Sequence, residues 1–508
     1  MNLIQSIDYA AIAPVLAVGG AAILVLLADL FLSARARDVV VGLSVLGTLV
    51  GAGFAAWLAT GPTRSTFCLP QHQCSYVVDD YTVYFQLVVL LAAVVVLLMS
   101  RATVIEDSLP AGEFHFLLLS SVTGMVTLAA ARDLITLLVA LEVVSLPAFV
   151  LVGLRRFDPR GAEAALKFFL FSVVATGLTV YGMALLYGVT GSVHVDGIAQ
   201  ALGPVREAGN AKSALAAVAV VLVVSGFAFK VSAVPFHFWV PDTYQGAPVP
   251  IAAFLSTASK AAGFAGLLIV LLDAFGSYAD VWGAVLGVLA AVTMTVGNVV
   301  ALRQWHLVRL LAWSTVAQAG YMLVPLGVAA TAHGRTSSEL HAAGEATLVY
   351  LGIYVAMNLG AFACAVLVTR RYPRGAITDL RGLVRTAPLL AVVFALFLTA
   401  LAGLPPGVAG LFAKVAVFRE AVQGHVTWLA IVAAVNAVIG LAYYLRVVAI
   451  MFAPDEEAEV QTPVSRWSPA TVSGAALALA ATLVLSVYPQ PLFDWAKHAA
   501  GATTAAQP

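Results

Sequence analysis

The sequence predicts an all-α integral membrane protein with about 14 transmembrane helices. Apolar residues make up 61% of the 508 residues and charged residues only 10%, whereas soluble domains average roughly 45–50% and 25%. The apolar residues fall into stretches of about 20, the length that crosses a bilayer core. The 26 basic and 26 acidic residues cancel. This balance excludes a basic nucleic-acid-binding face, and the high hydrophobicity excludes disorder.

The predicted spans follow one another along the chain with only short loops between them, none of which could bury a core. They are 10–32, 38–60, 80–100, 113–131, 134–154, 163–188, 213–239, 250–272, 279–302, 308–330, 345–368, 387–418, 427–451 and 468–489. We expect the first to be a span rather than a cleaved signal peptide, because no basic residue precedes it.

The loop cations predict the orientation. Arg35 and Arg37 follow the first span and predict that its loop is cytoplasmic and that the N-terminus is outside. With this orientation, fourteen of the 26 Lys and Arg residues fall in inside loops and seven in outside loops. The loop Thr369–Pro388 carries five arginines and is the strongest cytoplasmic anchor. Both termini are therefore expected on the outer face.

Two of the spans are predicted to be broken helices. The seventh reads SGFAFKVSAVPFHFWVPD, and the twelfth reads TALAGLPPGVAGLFAKVAVF. Proline removes an intrahelical hydrogen bond and clashes with the preceding turn. Breaks at membrane depth persist only inside protein or beside a wet cavity. We therefore expect each break to be enclosed in protein or to line a wet cavity.

The two broken spans lie five helices apart and each carries one lysine, which predicts two copies of a five-helix unit, helices 4–8 and 9–13. Because five is odd, consecutive copies would be inverted in the membrane, as in many transporters. Two unrelated proline kinks are the alternative reading. The predicted organisation is three N-terminal helices (1–105), the first repeat (113–273), the second repeat (279–451) and a C-terminal helix (468–489).

Several charges lie deep in the predicted spans. Glu142 comes eight residues after Leu134, roughly 12 Å along its helix. Lys230 lies beside the first break, and Lys260 lies ten residues after Pro250. An intramembrane charge costs at least ~2.5 kcal/mol, so such residues usually face a partner or a water path. Structural ion pairs and a protonated Glu142 are the alternatives.

Three further residues have weaker signals. His237 follows the break near Lys230 and can carry a proton near neutral pH, although a structural histidine fits nearly as well. Lys414 follows the second break, yet Arg419 nearby also suits a lysine that reaches outward to the interface. Lys167 begins the sixth span four residues after Glu163, a spacing that also suits a helix-surface ion pair.

The sequence predicts no redox centre in this chain. It contains no phosphate-binding loop, dinucleotide fingerprint or metal-ligand cluster. Its three cysteines are too few for an iron–sulfur cluster. Cys68 and Cys74 share the first outside loop, where a disulfide and two free thiols are both consistent with the sequence. Cys364 lies in an apolar span and is expected to pack there.

Three segments carry a resemblance to a known family. FKVSAVPFHFWVPDTYQGAPVPIAAFLSTASKAAGF, RDLITLLVALEVVSLPAFVLVGLRR and GLPPGVAGLFAKVAVF resemble subunit N of bacterial NADH:quinone oxidoreductase (respiratory complex I), one of the antiporter-like membrane subunits. The likeness covers nearly the whole chain in helix number and motif order. TYQGAP favours this subunit over the sister subunits L and M. The same motif favours subunit N over the alternative that we keep open, which is a subunit of a cation/proton antiporter or membrane-bound hydrogenase.

The resemblance implies a proton channel and a role for each deep charge. Glu142 and Lys230 would form a switchable ion pair, and Lys167 would tune Glu142. Lys260 would be the central relay, and Lys414 would release the proton toward the outside. An accessory relay role is implied for His237.

The resemblance also implies the chain's setting. The partners would be the lipid bilayer, protons and the other membrane-arm subunits of complex I, without nucleic acid. NADH, flavin, iron–sulfur clusters and quinone would belong to partner subunits, with no cofactor in this chain. The location would be a bacterial plasma membrane, with many crossings. A purely structural membrane module with an idle channel is the remaining alternative, which the buried charges disfavour.

Two features depart from the family pattern. Related chains usually have a histidine where Gln318 stands in ALRQWHLVRLLAWSTVAQAGYML. An amide cannot carry a proton, so no relay role is expected there, and His306 is a weak substitute that fits a loop position better. The outside loop with Cys68 and Cys74 is also unusual for the family.

Overall fold

The computed structural model describes residues 7–32, 37–69, 73–454 and 467–502. Arg35 and Arg466, two of the inside-loop cations, lie outside these ranges. Within the described ranges, twelve helices are long and apolar enough to cross a membrane. The predicted all-α membrane class is confirmed.

The helices occur in the order of the predicted spans. The N-terminal part consists of α1 (Ala13–Phe31), α2 (Arg37–Leu58) and α3 (Asp80–Glu106). The next part consists of α4 (Ala111–Ala130), α5 (Leu134–Val152), α6 (Pro159–Thr190), α7 (Val195–Glu207), α8 (Ala211–Val231), α9 (Trp239–Gly246), α10 (Val249–Ser256) and α11 (Ala258–Leu268), which a π-helix extends over Ile269–Ala274.

The second half of the described chain is also helical. It consists of α12 (Ala279–Ala301), α13 (Leu307–Leu323), α14 (Ser337–Arg371), α15 (Leu383–Thr386), α16 (Pro388–Ala402), α17 (Ala409–Gln423), α18 (Thr427–Phe452), α19 (Pro469–Val487) and α20 (Gln490–Ala502). Short 3-10 turns cover Gly276–Tyr278, Pro325–Ala330 and Ile377–Leu380.

Two predicted spans are shorter in the structure than a single crossing requires. Span 308–330 is the 17-residue α13 followed by a 3-10 turn. Span 387–418 is divided into α16 and α17, each of 15 residues. The count of 14 crossings and the two five-helix repeats therefore stay predictions.

Both predicted breaks are present, and a third occurs that the sequence did not indicate. Residues 232–238 separate α8 from α9, and residues 403–408 separate α16 from α17. The upstream half-helices end at Ser232 (φ 68°) and Gly403 (φ 83°), both in the left-handed region. The third break lies at Thr257, between α10 and α11. Neither proline nor glycine marks it.

The loops between the spans contain structure that the apolar pattern did not predict. Arg64–Cys68 and Cys74–Val78 form an antiparallel hairpin of strands β1 and β2. A disulfide joins Cys68 to Cys74, so the open question about this pair is answered in favour of the bond. Helices α7 and α20 are short and amphipathic, which suits helices that lie at a membrane interface.

Loops that the orientation assigns to one side contact one another. On the predicted outer side, Arg132 pairs with Asp79 at 2.7 Å. On the predicted inner side, Arg155 pairs with Asp107 at 2.6 Å, and Arg370 pairs with Glu106. These contacts agree with the alternation of loops across the membrane, while the sidedness itself stays a prediction.

Candidate functional site

Glu142 lies in the middle of α5 and is half-buried in the isolated chain. Its carboxylate Oε1 accepts a hydrogen bond of 2.8 Å from the hydroxyl of Thr176 on α6. Ser145, one turn further along α5, donates to the Leu141 carbonyl oxygen at 2.5 Å. Glu142 and Ser145 are three residues apart, so they lie on neighbouring positions of one helix face.

Lys230 is the next-to-last residue of α8, directly before the first break. Its ammonium donates to the Ser145 hydroxyl, one turn from Glu142. Among the described residues, no carboxylate oxygen lies within the 4.0 Å of an ion pair with Lys230. The direct Glu142–Lys230 pair expected from the resemblance is therefore absent from this conformation, and Lys230 binds the Ser145 hydroxyl instead.

Lys260 is completely buried. Its ammonium Nζ donates to the carbonyl oxygen of Val231 at 2.9 Å and to that of Thr315 at 3.2 Å. Val231 directly follows Lys230, so the two lysines meet at the same helix end. Gly263 makes this approach feasible, because a Cβ there would lie 3.2 Å from the Cβ of Lys230.

Lys414 lies on α17 and is 5% exposed. Its ammonium donates to the carbonyl oxygen of Ala402, the last residue of α16, at 2.5 Å. The nitrogen also lies 5.6 Å from the ring centroid of Tyr321. The alternative of a lysine reaching outward beside Arg419 is therefore wrong, since Lys414 points into the protein.

Lys260 and Lys414 share one geometry. Each ammonium binds the last carbonyl of a half-helix, Val231 of α8 or Ala402 of α16. The C-terminus of a helix carries a partial negative charge that stabilises cations. Broken helices can thus hold a lysine charge at membrane depth without a carboxylate. A lysine held in this way can release its proton without breaking an ion pair.

Lys167 does not reach Glu142. It pairs with Glu163 at 2.7 Å and with Asp242 of α9 at 2.8 Å. Nine residues of α6, about 13 Å, separate Lys167 from Thr176, the hydroxyl donor to Glu142. The helix-surface pair with Glu163 is present as the spacing indicated. Lys167 therefore lies well away from the hydroxyl that binds Glu142, and the tuning role of Lys167 stays a prediction.

His237 lies within the first break and is 4% exposed. Its ring centroid is 5.3 Å from that of Trp313, and its Nδ1 has no hydrogen-bond partner among the described residues. A buried ring nitrogen without a protein partner is a suitable contact for water. His237 is not brought into contact with Lys230, so its accessory role stays a prediction.

His306 does not take the place of a histidine at position 318. It occupies the position just before α13 without a side-chain capping bond, and twelve residues, about 18 Å, separate it from Gln318. Burial, together with the positive charges of Arg309 and Arg160, lowers the pKa of His306 below its ordinary value. The loop position favoured by the sequence is therefore the observed one.

Several polar residues of this region carried no signal in the sequence. Ser145 and Thr176 contact Lys230 and Glu142, yet serine and threonine in apolar helices usually bond their own backbone. Asp242 contacts both Lys167 and Arg309. Within the described ranges, no group of three His, Cys, Asp or Glu side chains could hold a metal ion.

The chain has many relatives among known proteins. Residues 131–440 match the family described as NADH:quinone oxidoreductase/Mrp antiporter, TM. The chain is 48% identical to NADH-quinone oxidoreductase subunit N 2 of Streptomyces griseus over 516 residues, which covers 97% of this chain and 94% of that protein. It is also 48% identical to NADH-quinone oxidoreductase subunit N of Salinispora tropica, over 91% of this chain and 88% of the relative.

Solved structures share the same architecture. A chain of respiratory complex I from Thermus thermophilus with bound aureothin superposes with a TM-score of 0.73 at 30% identity, over 95% of this chain and 98% of that one. A chain of the Mrp complex from Dietzia superposes with a TM-score of 0.82 at 21% identity, over 98% and 97%. At that identity the second likeness shows a common fold alone.

Proposed function

This chain belongs to the subunit N family of NADH-quinone oxidoreductases, and from this membership we propose that protons cross it along a relay of buried Glu, Lys and His side chains. The chain is a membrane-arm subunit of the proton-translocating NADH:quinone oxidoreductase, respiratory complex I. Electron transfer from NADH to quinone takes place elsewhere in that complex and is coupled to proton pumping here.

One observation carries the relay proposal. Two fully or nearly fully buried lysines, Lys260 and Lys414, hold their ammonium groups on the terminal carbonyls of broken helices. Neither ammonium group has a carboxylate within ion-pair distance among the described residues. A neutral site of this kind favours release of a proton more than an ion pair does. Half-helix ends near the middle of the membrane are typical of transporter ion sites.

The relay proceeds from Glu142 toward the outside. When Glu142 is close, its charge favours the protonated form of Lys230, and when it withdraws, Lys230 gives its proton to Lys260. Lys260 and Lys230 meet at the end of α8, so this step is short. Lys414 then passes the proton toward the outer face. On the inner side, His237 assists through water at the first break. Lys167 assists through its charge, which lies next to Asp242.

The setting of the chain completes the proposal. Its partners are the other membrane-arm subunits of complex I, together with the surrounding lipid and the protons that it conducts. NADH, flavin, iron–sulfur clusters and quinone are assigned to partner subunits. The membrane is a bacterial plasma membrane, with both termini on the outer face.

Vesicles test the transported ion. We expect complex I containing this chain, reconstituted into liposomes without sodium, to generate a pH gradient when NADH and a soluble quinone are added. The physical reason is that the relay groups exchange protons and need no other cation. A pH-sensitive dye measures the gradient, and an uncoupler should abolish it. A gradient that forms only when sodium is present would contradict proton pumping and favour cation/proton exchange.

Cysteine labelling tests the orientation. Arg374 is exposed in the loop of five arginines, so a cysteine at this position should react with an impermeant maleimide only after the cells are permeabilised. The control is Lys212→Cys on the opposite side, which should react in intact cells. Native background is low because Cys68 and Cys74 are joined and Cys364 is buried. Ready labelling at position 374 in intact cells would reverse the proposed orientation.

A further inference from the structure

A cluster of buried hydroxyl groups surrounds Gln318 in the interval between Lys260 and Lys414. The Tyr350 hydroxyl on α14 donates to Gln318 Oε1 at 2.5 Å. Gln318 Nε2 donates to the Tyr444 hydroxyl on α18 at 3.1 Å, and the hydroxyl oxygens of Tyr444 and Ser314 are 2.5 Å apart. All four side chains are at most 2% exposed, so bulk water does not reach them.

This cluster continues toward Lys260. Lys260 donates to the Thr315 carbonyl, and the Thr315 hydroxyl accepts from the Tyr354 hydroxyl at 3.2 Å. Thr315 and Gln318 are three residues apart on α13, and Tyr350 and Tyr354 are four residues apart on α14. Both pairs therefore lie on shared helix faces, with one turn of about 5.4 Å between the two groups of hydroxyls. A single bound water can bridge such a gap.

The same cluster also continues toward Lys414. Gln318 Nε2 donates to the carbonyl oxygen of Leu401 at 3.2 Å. The next carbonyl, that of Ala402, accepts from Lys414. The Tyr350 ring stacks on that of Tyr321, with 6.1 Å between centroids, and Lys414 lies over the ring of Tyr321. The hydroxyl cluster thus ends at the broken helix that binds Lys414.

Hydroxyl groups and amides differ in what they can do with a proton. A hydroxyl both donates and accepts, so it can take a proton on its oxygen while it releases the one it held. The group returns to its starting composition, and no co-reactant is consumed. A glutamine amide has fixed donors and a fixed acceptor, so it orients its neighbours without carrying the proton.

We infer that the hydroxyls of Tyr350, Tyr444 and Ser314 carry protons across the interval between Lys260 and Lys414, with Gln318 as the residue that positions them. Because the amide and the backbone carbonyls do not carry the proton, bound water takes it from one hydroxyl and gives it to the next. The last water delivers the proton to Lys414 when that lysine is neutral, and each hydroxyl regains the hydrogen that it released. This inference rests on the proposed proton relay and adds residues to it. It explains how a chain with an amide at position 318 passes a proton between two lysines that do not touch.

The test uses tyrosine-to-phenylalanine variants of the whole complex. Tyr350→Phe and Tyr444→Phe remove one hydroxyl and keep the ring. We expect the double variant to lose about tenfold or more of its NADH-driven proton uptake in sealed vesicles, somewhat less than a positioned proton-transfer group usually contributes because water substitutes in part. The matched control is Tyr84→Phe, since Tyr84 is equally buried and its hydroxyl donates at 2.7 Å to Leu348 of the same α14.

A rescue separates proton transfer from packing. A histidine can carry a proton, so Gln318→His placed in the double Tyr350→Phe, Tyr444→Phe background should restore proton uptake. Wild-type uptake in an assembled double variant would overturn the inference, as would a loss that Gln318→His does not restore. The Lys260→Met variant, measured in the same assay, distinguishes a failure of the proton relay from a failure of the hydroxyl path alone. If both Lys260→Met and the double tyrosine variant keep wild-type uptake, the relay itself is wrong. If Lys260→Met loses uptake while the double tyrosine variant keeps it, only the hydroxyl path is wrong.

Discussion

Glu142→Gln is expected to lower NADH:quinone turnover and proton pumping by about tenfold while the complex still assembles. Glutamine keeps the shape of the side chain and can still accept from Thr176, so the local packing is retained. In the proposed relay, this variant loses the charge that favours the protonated form of Lys230. A tenfold change in the readiness of a lysine to release its proton corresponds to ~1.4 kcal/mol. This free energy is smaller than the ~2.5 kcal/mol or more that an intramembrane charge costs, so removing one charge can produce it.

Two companion variants decide what the loss means. Glu142→Asp keeps a titratable carboxylate and should retain more activity than Glu142→Gln. Glu113→Gln removes an exposed carboxylate from the first turn of α4 and should leave turnover unchanged. Native gels and the rate with an artificial electron acceptor measure assembly. If Glu142→Gln pumps like wild type in assembled complex, Glu142 is a structural charge.

Lys260→Met and Lys260→Arg are expected to abolish pumping for different reasons. Methionine removes the ammonium group and leaves the Val231 and Thr315 carbonyls without their donor, which costs about 1–3 kcal/mol for each buried group. Arginine keeps the charge and the donors but does not release its proton in proteins. Lys260→Arg should therefore assemble more fully than Lys260→Met and yet fail to pump.

The contrast between these two variants is the informative result. A structural charge would be replaced adequately by arginine, so wild-type pumping by Lys260→Arg would rule out a relay role. The measurement is proton uptake in sealed vesicles, normalised to the amount of assembled complex. Arg419→Lys, at an exposed position of α17, is a control for the handling of vesicles, because the Arg419 side chain bonds Gln423 one turn away and lies outside the proposed relay.

The order of the helices and two of the breaks could be predicted because their causes are local. Apolar runs of about 20 residues identify the spans, and Pro235 and Pro405 mark the breaks at 232–238 and 403–408. The break at Thr257 could not be predicted, because LSTASK contains neither proline nor glycine. The paired strands Arg64–Cys68 and Cys74–Val78 were missed because two five-residue strands in a polar loop leave no signal in a search for apolar runs of about 20 residues.

The depth of the site residues could be predicted, but their partners could not. The positions of Glu142, Lys230 and Lys260 within their spans already indicated buried charges. That Lys414 turns inward depends on the Ala402 carbonyl, which becomes free only because α16 ends there. The hydroxyls of Tyr350 on α14 and Tyr444 on α18 meet at Gln318 on α13, and no sequence spacing predicts contacts between separate helices.

In the proposed relay Glu142 and Lys230 act as one switch, although Lys230 binds Ser145 rather than Glu142 in this conformation. A double-mutant cycle on proton uptake per assembled complex tests it most directly, because residues that act as a unit give non-additive losses. We expect Glu142→Gln combined with Lys230→Ala to pump no worse than the weaker of the two single variants. Losses that multiply would show that the two charges act independently, and wild-type uptake in all three variants would show that neither charge takes part. Either result would contradict the switch.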